Sequence, residues 1–217
     1  MKNGFTLVEL SIVLVIIGLL VGGILVGQAL IQSAQINRFV RDVQQFDIAA
    51  LQFRQKFKSY PGDSKLFEVK GNGDGIITGF TPGGEMCGTQ TCMERHSYWK
   101  HLSDSGLLQT KYTNDWTGGL QLGKNTPKMA IGNSGLVAGY YSADGAGCSV
   151  MGQYASTGST SATDGISGAS AVAVDNKLDD GVNNTGNVES CTASVPCLPT
   201  DAKCTITLGM FNINYKL

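Results

Sequence analysis

Glu9 is the one charged side chain between Phe5 and Asn37. A lone carboxylate in so apolar a stretch is costly unless a cation meets it, which makes it a functional residue by default. The plainer alternative is an acid that lies at a membrane interface with its head group in water. A second group is Cys87-x4-Cys92-x3-His96-x4-His101, four ligand types at a spacing loosely like that of a structural zinc site. The same thiols belong to a set of six, Cys87, Cys92, Cys148, Cys191, Cys197 and Cys204. An even number in a translocated, glycine-rich region points to disulfides with solvated histidines, and leaves the pairing open. A third group is Asp175-Asn-Lys-Leu-Asp-Asp-Gly181, where Asp175, Asp179 and Asp180 offer the hard oxygens that calcium takes. Gly71-Asn-Gly-Asp-Gly75 has part of a calcium-loop pattern, but Lys70 holds the first ligand position and no Glu closes it. Both acidic segments also fit turns in which Asn and Asp bond their own backbone. Catalysis is not indicated. His96 and His101 are the only histidines, neither sits in a Ser- or Cys-centred motif, and there is no phosphate-cradling glycine fingerprint.

The elements that must carry these residues begin with an apolar run, Leu10–Gly27, in which Ser11 is the only polar side chain. Eighteen helical residues span about 27 Å, close to the ~30 Å hydrocarbon layer of a bilayer. A core helix of a soluble protein rarely runs so far without a polar face. A cleaved secretory signal fits Lys2, but its apolar core would be shorter, and here the helical pattern continues. Ile36, Phe39, Val40, Val43, Phe46, Ala50, Phe53 and Phe57 recur every three or four residues and predict one helix face. Arg38, Arg41, Asp42, Gln44, Gln45, Asp47, Gln52, Arg54, Gln55 and Lys56 fill the other face, and no proline intervenes before Pro61. The expectation is a single helix from about Phe5 to Lys58, apolar all round in its first half and amphipathic in its second. Orientation is contested by charge alone. The cations after the apolar run favour a cytoplasmic C-terminal side, whereas the cysteines favour an oxidising one.

Residues 1–10 read Met-Lys-Asn-Gly-Phe-Thr-Leu-Val-Glu-Leu. This string resembles the processing signal of type IV pilins and of the pseudopilins of type II secretion systems. The resemblance implies a prepilin peptidase that cuts between Gly4 and Phe5 on the cytoplasmic side and N-methylates Phe5. It implies a chain held in the inner membrane by one pass, N-terminus in the cytoplasm, head periplasmic or extracellular. Copies of the chain and other pilins or pseudopilins would then pack into a helical filament, driven by an assembly platform with a separate ATPase. In such a fibre the new amine of Phe5 can meet Glu9 of a neighbour and fix the stagger. Tyr60-Pro-Gly-Asp63 also recurs at the end of the long helix in pseudopilin-like proteins, and major pseudopilins bind calcium in their heads. The chain departs from many pilins in lacking a proline in the second half of the apolar segment, where Gly22-Gly-Ile-Leu-Val-Gly27 stands. That departure leans toward the pseudopilin side.

The fold implied is α+β and pilin-like. It comprises a leader at 1–4, a helix at 5–58 that spans the membrane over 10–30 and is amphipathic over 31–58, and a β-rich, disulfide-containing extracytoplasmic head at 59–217. Tyr98–Leu108 reads as a short amphipathic helix ending near Gly106. Strands are expected at Lys128–Gly132, Leu136–Tyr141 and Cys204–Phe211, and a Ser/Thr/Gly-rich loop at Ala155–Ser170. Over the whole chain, 15% of residues are charged and the formal net charge is -1. A broad polyanion-binding face is therefore not expected, and nucleic acid is not an expected partner. Two rival readings remain at this stage. One is a monomeric binding protein that the helix merely tethers; the other is a minor pilin for adhesion or DNA uptake, with Lys65, Lys70, Lys100, Lys111, Lys124 and Lys128 gathered in space.

Overall fold

The structure, a computed structural model, describes residues 6–75, 77, 86–87, 90–91, 94–117, 119–132, 134–140, 151–156, 166–182, 188–192, 195–196 and 205–208. Helix α1, Leu7–Phe57, has 51 residues and is about 77 Å long at the α-helical rise. It starts at Thr6, whose extended backbone and side chain cap the first turn. It runs unbroken through Gly22 and Gly23. It ends at Lys58, which adopts the left-handed conformation with φ 56° and donates its N–H to the Arg54 carbonyl. Arg54 and Lys56 in the last turn complement the negative pole of the helix.

The two halves of α1 have different environments, as the residue pattern dictates. Among its described residues up to Gln35, all but the half-buried Gly27 are exposed. From Ile36 onward the stripe Ile36, Phe39, Val43, Ala49, Ala50 and Phe53 is buried. What buries it is helix α2, Glu94–Asp104, and helix α3, Gly168–Leu178. Trp99 meets Phe46 edge-on at 5.0 Å between ring centres, and Phe53 stacks on Phe67 at 5.3 Å. Tyr98, Trp99, Leu102, Leu136, Ile166, Ala171 and Val174 complete the core around Phe39 and Phe53. Edge-on and offset aromatic contacts of this kind add to the gain from burying their area.

The strands are β1 Met86–Cys87, β2 Gln90–Thr91, β3 Gly135–Tyr140, β4 Met151–Ser156, β5 Val188–Thr192, β6 Val195–Pro196 and β7 Thr205–Leu208. β1 and β2 pair in a tight antiparallel hairpin, with Cys87 opposite Gln90. The others form a five-stranded sheet in the order β3-β4-β7-β5-β6. Every pairing in it is antiparallel, with Val137 opposite Tyr154, Tyr154 opposite Thr207 and Ser190 opposite Ile206.

Several local expectations need correction. Lys128–Gly132 does not form a strand: Lys128 makes one isolated bridge to Gly135, and Met129 donates its N–H to the Ser134 carbonyl across a turn. The segment expected as a loop over Ala155–Ser170 ends inside α3 and begins inside β4. Asp175, in a segment that also fitted turns, lies in the last helical turn of α3. Helix α2 begins four residues before Tyr98, at Glu94.

Candidate functional site

The N-terminal turn of α1 organises Glu9. Thr6 donates its backbone N–H and its hydroxyl to the same carboxylate oxygen, Oε2, each at 2.8 Å, and its hydroxyl accepts the Glu9 N–H at 3.3 Å. This reciprocal arrangement satisfies amides that a helix start leaves without intrahelical partners. It also directs the carboxylate back toward the start of the chain. Gly4 and Phe5 lie outside the described residues. On both sides of Glu9 the apolar side chains from Leu7 to Ile31 are exposed all round the helix. A Cβ added at Gly18, Gly22, Gly23 or Gly27 would meet nothing within 4 Å. This surface therefore has no partner among the described residues. By length and composition α1 is long and apolar enough to cross a membrane.

Where α1 ends, Tyr60–Asp63 is locked to α2 and to the loop at 71–75. Gly62 has φ +89°, and a Cβ there would stand 2.3 Å from the Glu94 carbonyl oxygen, so only glycine fits. Its N–H donates to Nδ1 of His101 at 2.9 Å. That bond fixes the tautomer: the proton sits on Nε2, which donates to the Val69 carbonyl at 2.6 Å. The ring is also stacked on Phe67 at 4.6 Å. Asp63 accepts the N–H groups of Gly73 at 2.6 Å, Asp74 at 3.1 Å and Gly75 at 3.1 Å. Glu94, fully buried, accepts the N–H of Asn72 at 2.7 Å.

Carboxylate oxygens of Asp63, Asp74 and Glu94 lie within 4.8 Å of one another. Burial pushes the Asp63 carboxyl upward, against the pull of the Gly75 and Gly73 amides. With three amides on Asp63, the loop reads as wrapped around that acid. Neither Asp63 nor Glu94 is conspicuous as a site residue in the sequence, because the three acids come from separate segments. The one available signal was the Asn-Gly-Asp-Gly repeat of turn formers that supplies the donated amides.

The zinc array loses its histidines to this packing. Both nitrogens of His101 are engaged by the backbone, and burial lowers its pKa to about 4. His96 is buried, stacked on Trp116 at 4.2 Å, and also lowered to about 4, chiefly by burial and then by Arg95. The backbones of Cys87 and Cys191 lie in β1 and β5. Cys92, Cys148, Cys197 and Cys204, and all six cysteine side chains, lie outside the described residues.

The second acidic group is brought together as the spacing suggested. Oxygens of Asp175, Asp179 and Asp180 all lie within 4.8 Å. Asp175 is 0% exposed, and neither of its carboxylate oxygens has a hydrogen-bond partner of sound geometry. Its pKa is pushed up to about 6, first by burial and then by the charges of Asp180 and Asp179, with the Gly181 amide pulling the other way. Of the lysines that a DNA-binding stripe would need, Lys100 pairs with Asp104 at 2.7 Å and Glu68 at 3.6 Å. Lys124 pairs with Asp115 at 3.1 Å.

Comparison with known proteins bears on the first of these sites. Residues 1–25 match the family model for the prokaryotic N-terminal methylation motif, the signal of type IV pilins and pseudopilins. The match includes Gly4, Phe5 and Glu9 and the exposed apolar surface as far as Leu25. No curated protein and no solved structure matches the chain.

Proposed function

We infer that this chain is the precursor of a structural filament subunit, of a type IV pilus or a type II secretion pseudopilus. A prepilin peptidase cuts it between Gly4 and Phe5 and methylates the new amine. The single observation that carries the reading is the surface of α1 from Leu7 to Ile31. It is apolar on all sides, uncovered by the described residues of its own fold, and headed by Glu9 within the methylation motif. Such a surface needs lipid before assembly and other helices after it. The two environments are similarly apolar, so transfer between them depends on close packing and on polar groups finding partners. Gly18, Gly22, Gly23 and Gly27 offer the close approach. Glu9 offers the polar contact, to the Phe5 amine of a neighbour, because a carboxylate left alone in an apolar fibre core is strongly disfavoured.

In this reading the head works as a rigid load on the helix. The contacts of Phe39, Phe46 and Phe53 with the Trp99 and Phe67 cluster hold it to the second half of α1. The head faces the periplasm or the exterior, and work for extension comes from a separate cytoplasmic ATPase at the assembly platform. The chain itself is not an enzyme. The unbroken helix without proline favours the pseudopilus over the pilus.

The test is N-terminal mass spectrometry of the protein from membranes and from sheared surface filaments. A chain starting at N-methylated Phe5 in the filaments establishes a pilus subunit. The same terminus found in membranes alone places the chain in a pseudopilus or as a minor subunit. An intact Met1, or a cut beyond Gly27, overturns the reading and leaves a tethered or secreted head.

A further inference from the structure

In its amphipathic half, α1 departs from its own pattern. A helix that buries one stripe carries polar side chains on the far side. Ile48 stands nine residues after the fully buried Phe39, about two and a half turns, and so points the opposite way. It is 55% exposed, and Leu51, three residues on, is 44% exposed. A lone aliphatic on a surface needs no explanation. These two belong to a longer series, Arg41, Gln44, Ile48, Leu51, Gln55 and Lys58, spaced by three and four residues and exposed throughout. Its ends are cationic and it contains no acid. Leu51, Gln55 and Lys58 line a groove together with Arg54, whose guanidinium lies over the Tyr60 ring at 4.9 Å. Leu30, eighteen residues before Ile48, is about five turns away and so on the same side; it is 66% exposed. The series thus prolongs, beyond the membrane span, the surface proposed above to pack against neighbouring subunits.

A surface of converse composition lies at the end of α3. Asp179 caps the helix, Asp180 is exposed, and Val182 is 49% exposed. Asp180 accepts the N–H of Val182 at 2.8 Å, and Asp179 that of Val188 at 3.1 Å. These bonds hold the carboxylates and the valine together as one surface. With Asp175 also in the last turn and Lys177 the one cation there, the end of α3 carries an excess of negative charge. Here an aliphatic is flanked by carboxylates, where on α1 aliphatics are flanked by cations. Helix α3 packs on α1 from the side of the buried stripe, opposite to Ile48. Contact between the two surfaces is therefore made by two chains.

We propose that the outward stripe of α1, centred on Ile48 and Leu51, docks the end of α3 of a second copy of this chain. The proposal rests on the reading of the chain as a filament subunit and adds to it a contact outside the apolar helix core. Ile48 and Leu51 cover Val182, while Arg54 and Lys58 meet Asp179 and Asp180. Exposed ion pairs of this kind add little strength, but they select the partner and fix the register. Because the two surfaces differ, the contact is heterologous, and repetition either closes a ring or continues as a helix. In a fibre of parallel α1 helices it continues, and it decides which side of each head meets the next subunit.

The test uses the full-length protein in membranes of its native host, with a benzophenone amino acid in place of Leu51. Illumination is expected to give a dimer in which position 51 is joined to the tryptic peptide that begins at Leu178 of the second copy. Lys58→Glu is expected to lower the dimer yield about tenfold, since it sets like charges against each other. Asp180→Lys in the same chain is expected to restore it. Both side chains are exposed, so the variants fold, and general damage to the fold would not be reversed by exchanging the charges. The proposal is overturned if position 51 joins another segment, another protein or nothing. It is also overturned if Lys58→Glu gives as much dimer as the wild type, or if Asp180→Lys fails to restore the yield. The same probe at Leu20, with N-terminal mass spectrometry, separates this failure from that of the filament reading. A methylated Phe5 and a Leu20 crosslink between copies, with none from position 51, overturn the head contact alone. An intact Met1 with no crosslink from either position overturns both.

Discussion

Asp47 lies on the amphipathic half of α1, outside the stretch read as membrane-spanning, with Oδ1 enclosed and without a hydrogen-bond partner. Burial raises its pKa from 3.8 to about 7. Between those two values the folded chain binds more protons than the unfolded chain, so stability rises as pH falls through that window. At pH 8 the folded state must instead hold a carboxylate where the neutral acid is preferred. A gap of about three units at 1.36 kcal/mol each sets a ceiling near 4 kcal/mol. Residual solvent around a half-buried group brings the expectation down to about 2 kcal/mol. Asp47→Asn keeps the shape and removes the charge. The variant is therefore expected to be more stable than the wild type by about 2 kcal/mol at pH 8, with an advantage that shrinks below pH 7 and is nearly gone by about pH 4. Urea unfolding in detergent, followed by the fluorescence of Trp99 and Trp116, measures it, provided the urea dependence is equal in the two proteins. A stability difference that does not change with pH would refute the reasoning, as would a variant less stable than the wild type at pH 8. Either result would mean that Asp47 is charged and well solvated in the folded chain.

The histidines give a slope of the opposite sign. His101 is lowered from 6.5 to about 4, so the unfolded chain binds more protons in that window and stability falls as pH drops from about 6.5 to about 4, by up to about 3 kcal/mol. In the Asp47→Asn background this loss is no longer offset. Its urea midpoint should decline across that interval, and a flat profile would show that the ring protonates freely in the fold. Gly62→Ala tests the joint between α1 and the rest. An alanine at φ +89° with its Cβ 2.3 Å from a backbone oxygen is expected to cost about 3 kcal/mol or more, seen as earlier unfolding and faster proteolysis after Lys58. A variant as stable as the wild type would mean that the turn does not hold α1 against α2.

How much of this could be read beforehand follows from where each residue finds its partners. The stripe from Ile36 to Phe53 was legible because its burial is one-sided and runs along a single element, and the structure buries Phe39, Val43 and Phe53 as that period requires. The uncovered half was legible for the opposite reason: no period is needed where every side is apolar. Helix α2 was seen from its Tyr98-Trp-x-x-Leu102 face but not at its start, because Glu94 and His96 are polar residues that the fold nevertheless buries. Lys128–Gly132 looked like a strand by composition, yet its pairing is settled by the turn at Ser134. The knot at Asp63 was beyond reading, since its donors come from residues 73–75 and its acidic neighbour from α2.

The Asp175 group marks the boundary between the two cases. Its acids are visible as a cluster in the sequence, but a set of turns does not supply the element that brings them together, which is α3. Ala171, Val174 and Leu178 recur at three and four residues, behind a Ser167 cap, and these are the marks of a helix. Among glycines and serines that pattern is easily passed over. Once α3 is recognised, Asp175 and Asp179 stand four residues apart at its end and so share a face. The apolar period that buries Val174 then carries Asp175 inward with it. One observation accounts for both the spacing of the acids and the burial that raises the pKa of one of them.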